Sequence, residues 1–228
     1  MINIPMSESG PDMDMVEKLV AEDDAIKGIW CVPKFSNPQG IVYSDETVRR
    51  FANLKPAAED FRIFWDNAYC VHYLYDEIKI PNIIEECEKA GNPDMVLEFC
   101  STSKISFAGA GISGMAASEA NLKDALATMT IQTIGHDKIN QLRHSIFFEN
   151  GKKISSHMKK HAQILRPRFE MVLNVLERDL GGRDAGTWLK PLGGYFITFT
   201  SLPGCAKNIV DMCMNCGVVL TGAGAPFP

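Results

Sequence analysis

The sequence predicts an α/β fold with a mixed, mostly parallel sheet and helices on both of its faces. Three observations predict it. Apolar runs of strand length alternate with amphipathic stretches up to about residue 135. Polar residues gather just past the C-terminal ends of three of those runs, the edge where open α/β sheets bind ligands. The 228 residues are 46% hydrophobic and 22% charged, close to the globular average, which excludes disordered, collagen-like and coiled-coil chains.

Asp14–Leu19 reads as a short amphipathic helix with acids early. Ile29–Val32 is an apolar run ending at Pro33, suited to a buried strand. Lys34–Gly40, KFSNPQG, is a loop, because Asn-Pro followed by Gly breaks both periods. Ser44 is an N-cap, with Asp45 and Glu46 in the first turn where the helix dipole favours acids. That helix continues through Val48, Phe51 and Leu54 and stops before Pro56. Arg62–Trp65 and Val96–Phe99 are further buried strands. The second leads into Ser101–Lys104, then the small-residue stretch Ala108–Gly114 and the apolar Met115–Ala117. Asn121 caps a helix to about Ile134, and a long helical pattern spans about Ser155–Leu180, where Pro167 kinks it or starts a new segment. Gly193–Gly194 precede a strand at Tyr195–Thr200, a helix at about Cys205–Asn215 ends at Gly217, and Val218–Leu220 is a last short strand. The alternation stops near Ile134, which divides the chain into a portion of residues 1–150 and a second α+β portion of residues 151–228 bridged by the long helix.

Several classes are excluded. No apolar run reaches the roughly 18–20 residues of a membrane helix. A net charge of −5 gives no footprint for nucleic acid or an anionic membrane. MINIPMSESG lacks a basic stretch followed by an apolar core, so no secretory signal is expected, and seven irregularly spaced cysteines suit reduced thiols in the cytoplasm. Cys213-x-x-Cys216 is a lone pair without further zinc ligands and reads as core cysteine. His157 and His161 share a helix face beside Lys159 and Lys160 and read as a solvated face rather than a metal site.

The candidate site residues are Asn37, Asp66, Tyr69, Ser101 and Lys104. Asn37 before proline is ordinary turn chemistry when taken alone. Asp66 after a hydrophobic strand either caps a loop or holds a metal or a cofactor nitrogen. Tyr69 is core or site. Lys104 is a surface residue or an amine nucleophile of the Schiff-base type, and the glycines after it would let a planar group approach the backbone.

Three motifs occur in a fixed order: Asn37-Pro38-Gln39-Gly40, Asp66-Asn67-Ala68-Tyr69 and Ser101-Thr102-Ser103-Lys104. Asn37 and Asp66 are 29 positions apart, Asp66 and Lys104 38. This order resembles the fold-type I pyridoxal-phosphate aminotransferases. The wording GIWCVPKFSNPQG, FWDNAY and STSKISFAGAG is similar to a bacterial aspartate-aminotransferase branch, also described as MocR-type or alanine–glyoxylate-like, and GGYFITF and GVVLTGAGAPFP resemble its small-domain strands. The resemblance covers essentially the whole chain. It implies an aminotransferase-like large domain over 1–150 and part of a small C-terminal domain over 151–228. It implies pyridoxal 5'-phosphate as cofactor, attached to Lys104, which then serves as general base. Asp66 would pair with the pyridinium nitrogen, Tyr69 and Asn37 with the ring oxygen, Ser101 with the phosphate, and Asn37 also with the substrate carboxylate.

The resemblance further implies transfer of an amino group from an amino acid, aspartate or a similar acid, to a 2-oxo acid, in a homodimer. The alternative is a MocR-type sensor domain that binds the cofactor without turnover. Departures are an AGAGISG stretch without the arginine that often follows the lysine, and Gln39 where Thr is common. Arg183 is the last arginine, so no candidate follows for the substrate carboxylate. The phosphate loop and ring-stacking aromatic that precede this region in complete members also have no counterpart. The chain thus reads as a fragment that is inactive alone.

Overall fold

The computed structural model describes residues 1–225. A two-residue hairpin, β1 (Met6–Ser7) and β2 (Gly10–Pro11), leads into α1 (Met13–Glu22). Asp12 caps that helix, its carboxylate accepting from the Met15 N–H at 3.1 Å. Met13, Val16 and Val20 recur at helical spacing and are buried. After β3 (Gly28–Cys31), α2 (Asp45–Ala52) begins where expected, with the Ser44 hydroxyl accepting from the Thr47 N–H at 3.1 Å. Its acids lie in the first turn and Arg49 and Arg50 in the last, matching the helix dipole at both ends.

The central sheet adds β4 (Arg62–Asp66), β5 (Val96–Ser101) and β6 (Ser113–Ala117), in the order β3-β4-β5-β6. The first three strands are parallel, and β6 runs antiparallel to β5. Between β4 and β5 lies α3 (Ile83–Lys89), capped by Asn82. It is only seven residues long and buries just Ile83 and Cys87, too short an apolar period to read from the sequence. Cys31, Ile63, Trp65 and Val96 point to one face of the sheet, where they share a core with Val16, Val48, Phe51, Ile83 and Cys87 of α1, α2 and α3. Phe51 lies between Tyr43, stacked at 5.9 Å, and Trp65, edge-on at 5.9 Å. On the opposite face Trp30, Phe64 and Phe99 stack against each other, ring centroids 5.6–6.5 Å apart, with Trp30 65% exposed.

Three more helices follow: α4 (Glu119–Gln132), α5 (Lys138–Phe148) and α6 (Gly151–Leu180). The cap of α4 is Ser118 rather than Asn121. The Asn121 N–H is the group that Ser118 caps, and its side-chain amide instead donates to the Asp94 carbonyl at 2.8 Å. No apolar stripe announces α5, which carries only two buried residues, His144 and Phe148. Pro167 lies within α6 without ending it. The 30 residues form one rod, about 45 Å long at helical rise.

Beyond α6, β7 (Gly186–Trp188) pairs antiparallel with β8 (Phe199–Ser201), and α7 (Ala206–Asn215) follows, with Gly217 at φ +82° behind it. The strand expected at Tyr195–Thr200 is shorter, because Tyr195 and Phe196 pack toward Tyr69 instead of pairing. Val218–Leu220 is not a strand. Cys213 is half-buried and Cys216 exposed, so neither is core. The last three residues of GVVLTGAGAPFP lie outside the described residues.

Candidate active site

The C-terminal ends of β4 and β5 bring four of the candidate residues, Asp66, Tyr69, Ser101 and Lys104, to one edge of the sheet. Asp66 closes β4 opposite Phe99. Ser101 closes β5 two residues further along, opposite Ser113. The chain leaving β4 is tied to its neighbour by the Asn67 N–H, which donates to the Phe99 carbonyl at 2.8 Å, and by the Asn67 side chain, which donates to the Glu98 carboxylate. This turn delivers Tyr69, which is buried. Burial raises the Tyr69 phenol above its ordinary range, and the charges of Asp66 and Tyr195 add to the effect. The phenol therefore keeps its proton.

Lys104 sits in the turn after β5, exposed, with Nζ 4.9 Å from the centre of the Tyr69 ring. The Ile105 and Ser106 N–H groups both donate to the Thr102 carbonyl at 2.9 Å, closing the turn. Gly111 packs so near that a Cβ there would lie 3.0 Å from the Ser103 nitrogen. The Ser101 hydroxyl donates to the Ser103 hydroxyl at 3.1 Å, so two hydroxyls face one place beside the lysine turn.

Asn37 is exposed in the 34–40 loop, just before a cis Asn37–Pro38 bond. The loop reaches the site through a third segment. Thr198 Oγ1 donates to the Pro38 carbonyl at 2.5 Å, and Phe196, two residues earlier, meets the Tyr69 ring at 6.2 Å.

The sequence reading missed several residues here. Tyr195 donates its hydroxyl to the Lys104 carbonyl at 2.9 Å, and buried His72 approaches the same oxygen through Nε2 at 3.0 Å. His157, read as solvated, is half-buried and donates to the Ile105 carbonyl at 2.9 Å. His144 is buried below the turn, with Nε2 2.7 Å from Ser106 Oγ and 3.1 Å from Thr102 Oγ1. A readable signal lay in Gly193–Gly194. A Cβ at Gly193 would lie 2.4 Å from the His72 carbonyl and 2.5 Å from the Phe35 ring, so only glycine allows Tyr195 to be laid against the turn.

An amine, a carboxylate, a protonated phenol and two hydroxyls at one sheet edge suit a cofactor with an aldehyde, a basic ring nitrogen and a phosphate. No group of three or more metal-binding side chains occurs among the described residues.

A model of the aspartate amino-transferase family matches residues 1–228. The chain belongs to that family. A relative in Mycolicibacterium smegmatis is 44% identical over all of this chain and 53% of its own length. An aspartate aminotransferase of Corynebacterium glutamicum is 42% identical over 229 residues, again 53% of that protein. The crystal structure of an aspartate transaminase from the same organism superposes on all of the chain with a TM-score of 0.96 at 41% identity, over 54% of that structure. The chain thus spans about half the length of the family relatives it matches.

Proposed function

We propose that this chain carries the lysine half of a pyridoxal-phosphate-dependent aminotransferase that moves an amino group from aspartate, or a similar acidic donor, to a 2-oxo acid such as 2-oxoglutarate. The observation that carries the reading is the Lys104 amine 4.9 Å over the ring of Tyr69, with Asp66 at the end of the adjacent strand. Family membership supports it, and the name of the Corynebacterium relative supports the acidic donor.

Pyridoxal phosphate, when bound, supplies an electron sink for the charge left on an amino acid's α-carbon after a proton is removed. Lys104 would hold the cofactor, and its amine, once displaced by substrate, would take that proton and return it across the nitrogen in a 1,3-shift. Asp66 accepts a hydrogen bond from the ring nitrogen and keeps it charged. Tyr69 would donate to the ring oxygen, and Asn37 is assigned to the same oxygen and to the substrate carboxylate. Ser101 donates to the phosphate. We divide the chain into a cofactor-binding portion, residues 1–150, and a small-domain portion, residues 151–228. The open Trp30–Phe64–Phe99 face and the half-length match support a need for the rest of the relatives' length, so that residues 1–228 alone turn over poorly. A homodimer in the cytoplasm completes the reading, supported by the free cysteines and the exposed Leu126 and Ile131 of α4.

The test is to incubate the full-length gene product with pyridoxal phosphate, aspartate and 2-oxoglutarate and to follow glutamate. Glutamate formation that is lost in Lys104→Ala is expected. Bound cofactor without turnover of any amino acid would favour the sensor alternative, and elimination without transfer would indicate a lyase.

A further inference from the structure

Lys104 is held in an unusual way. Its carbonyl oxygen has two lone pairs, and both are engaged by side chains from distant parts of the chain, His72 Nε2 at 3.0 Å and the Tyr195 hydroxyl at 2.9 Å. The next carbonyl, that of Ile105, receives His157 Nε2 at 2.9 Å. On the other side of the same peptide plane the Ile105 N–H is fixed to Thr102. The plane that follows Lys104 is therefore pinned at its oxygen and its nitrogen, so the Lys104 side chain moves only about its own rotors.

His72 accepts a cost for this. A carbonyl can only accept, so Nε2 carries the proton toward Lys104, and Nδ1, buried, makes no hydrogen bond among the described residues. Unpartnered buried polar atoms are rare, and each calls for an explanation. The explanation here is that the tautomer is dictated by the Lys104 carbonyl. The same two rings also form the walls around Tyr69: His72 meets it edge-on at 5.6 Å and Tyr195 at 6.1 Å, while His72 and Tyr195 meet each other at 5.1 Å.

We infer that His72 and Tyr195 are positioning residues for Lys104, clamping its carbonyl oxygen while packing the ring over which its amine lies. The inference rests on the proposed role of Lys104. It assigns these two residues no contact with substrate or cofactor.

The test measures attachment as well as turnover. The full-length chain without cofactor is mixed with pyridoxal phosphate, trapped with borohydride at timed intervals, and the label on Lys104 is counted by mass spectrometry. Tyr195→Phe removes only the hydroxyl and keeps the ring. Its trapping rate is expected to fall on the order of 10-fold, part of the roughly 100-fold that a misplacement of about 1 Å costs. His72→Leu is expected to be at least as slow. His72→Gln restores a donor near the Nε2 position and is expected to recover most of the rate, a rescue that loss of packing alone would not give. Wild-type trapping rates in Tyr195→Phe and His72→Leu, or a Gln variant as slow as the Leu variant, would overturn the inference. If wild-type label settles on a lysine other than Lys104, the proposed function fails instead. Amide exchange at Ile105 and Ser106 then decides the clamp: faster exchange in both variants upholds it, and unchanged exchange refutes it.

Discussion

Replacing His144 by Leu should loosen the lysine turn without unfolding the chain. The ring joins two elements 38 positions or more apart in sequence. Its Nδ1 donates to the Asn140 carbonyl at 2.9 Å within α5, which leaves Nε2 as a single acceptor facing the hydroxyls of Ser106 at 2.7 Å and Thr102 at 3.1 Å. Leucine fills a similar volume in this buried place but accepts nothing. Neither hydroxyl is orphaned, because each has one proton and a second acceptor for it, Ser106 the Thr102 carbonyl at 3.2 Å and Thr102 the Ile112 carbonyl at 3.4 Å. The loss is then one net hydrogen bond, the one accepted by the ring nitrogen, or about 0.5–1.5 kcal/mol. That corresponds to about a 2- to 12-fold rise in local opening, at 1.4 kcal/mol per tenfold. Hydrogen exchange read on peptides covering residues 100–114 measures it directly. A double-mutant cycle with Ser106→Ala should return a coupling of about 1 kcal/mol between the two side chains. Exchange at the wild-type rate across 100–114, or a coupling near zero, would refute the claim that His144 supports the turn.

Phe51→Ala should cost about 3–5 kcal/mol in a urea titration, since it empties a fully buried site between Tyr43 and Trp65; a loss below about 1.5 kcal/mol would mean that the three rings do not form a common core. Ser44→Ala should cost about 1 kcal/mol, read the same way, and Ser44→Gly much less. Burial raises the Glu98 carboxyl above its ordinary value of 4.5, with the Asn67 amide partly opposing the shift. The folded state then binds that proton more tightly than the unfolded chain, so the Glu98 contribution to stability is full below the ordinary value and is lost as pH rises through the raised one. Glu98→Gln should therefore gain in melting temperature relative to wild type as pH climbs from about 4.5, and a pH-independent difference would contradict this.

The residues by themselves determined the strands and the order of chemistry along them. Arg62–Trp65 and Val96–Phe99 are apolar runs with only one way to be buried, so β4 and β5 were legible, and with them the polar edge that holds Asp66, Ser101 and Lys104. Ser44 was legible because a cap acts over three residues and needs no distant partner. The short helix α3 and the amphipathically silent α5 were not, since their burial depends on what packs against them. Nothing local marks His72, His144, His157 or Tyr195 as holding the lysine turn. Their partners lie 32 to 91 positions away, and a histidine becomes a donor, an acceptor or a solvated base only when the opposing atom is fixed. The tertiary fold fixed those atoms, because the 192–194 strip pairs with 72–74 and two glycines let it lie flat against Phe35.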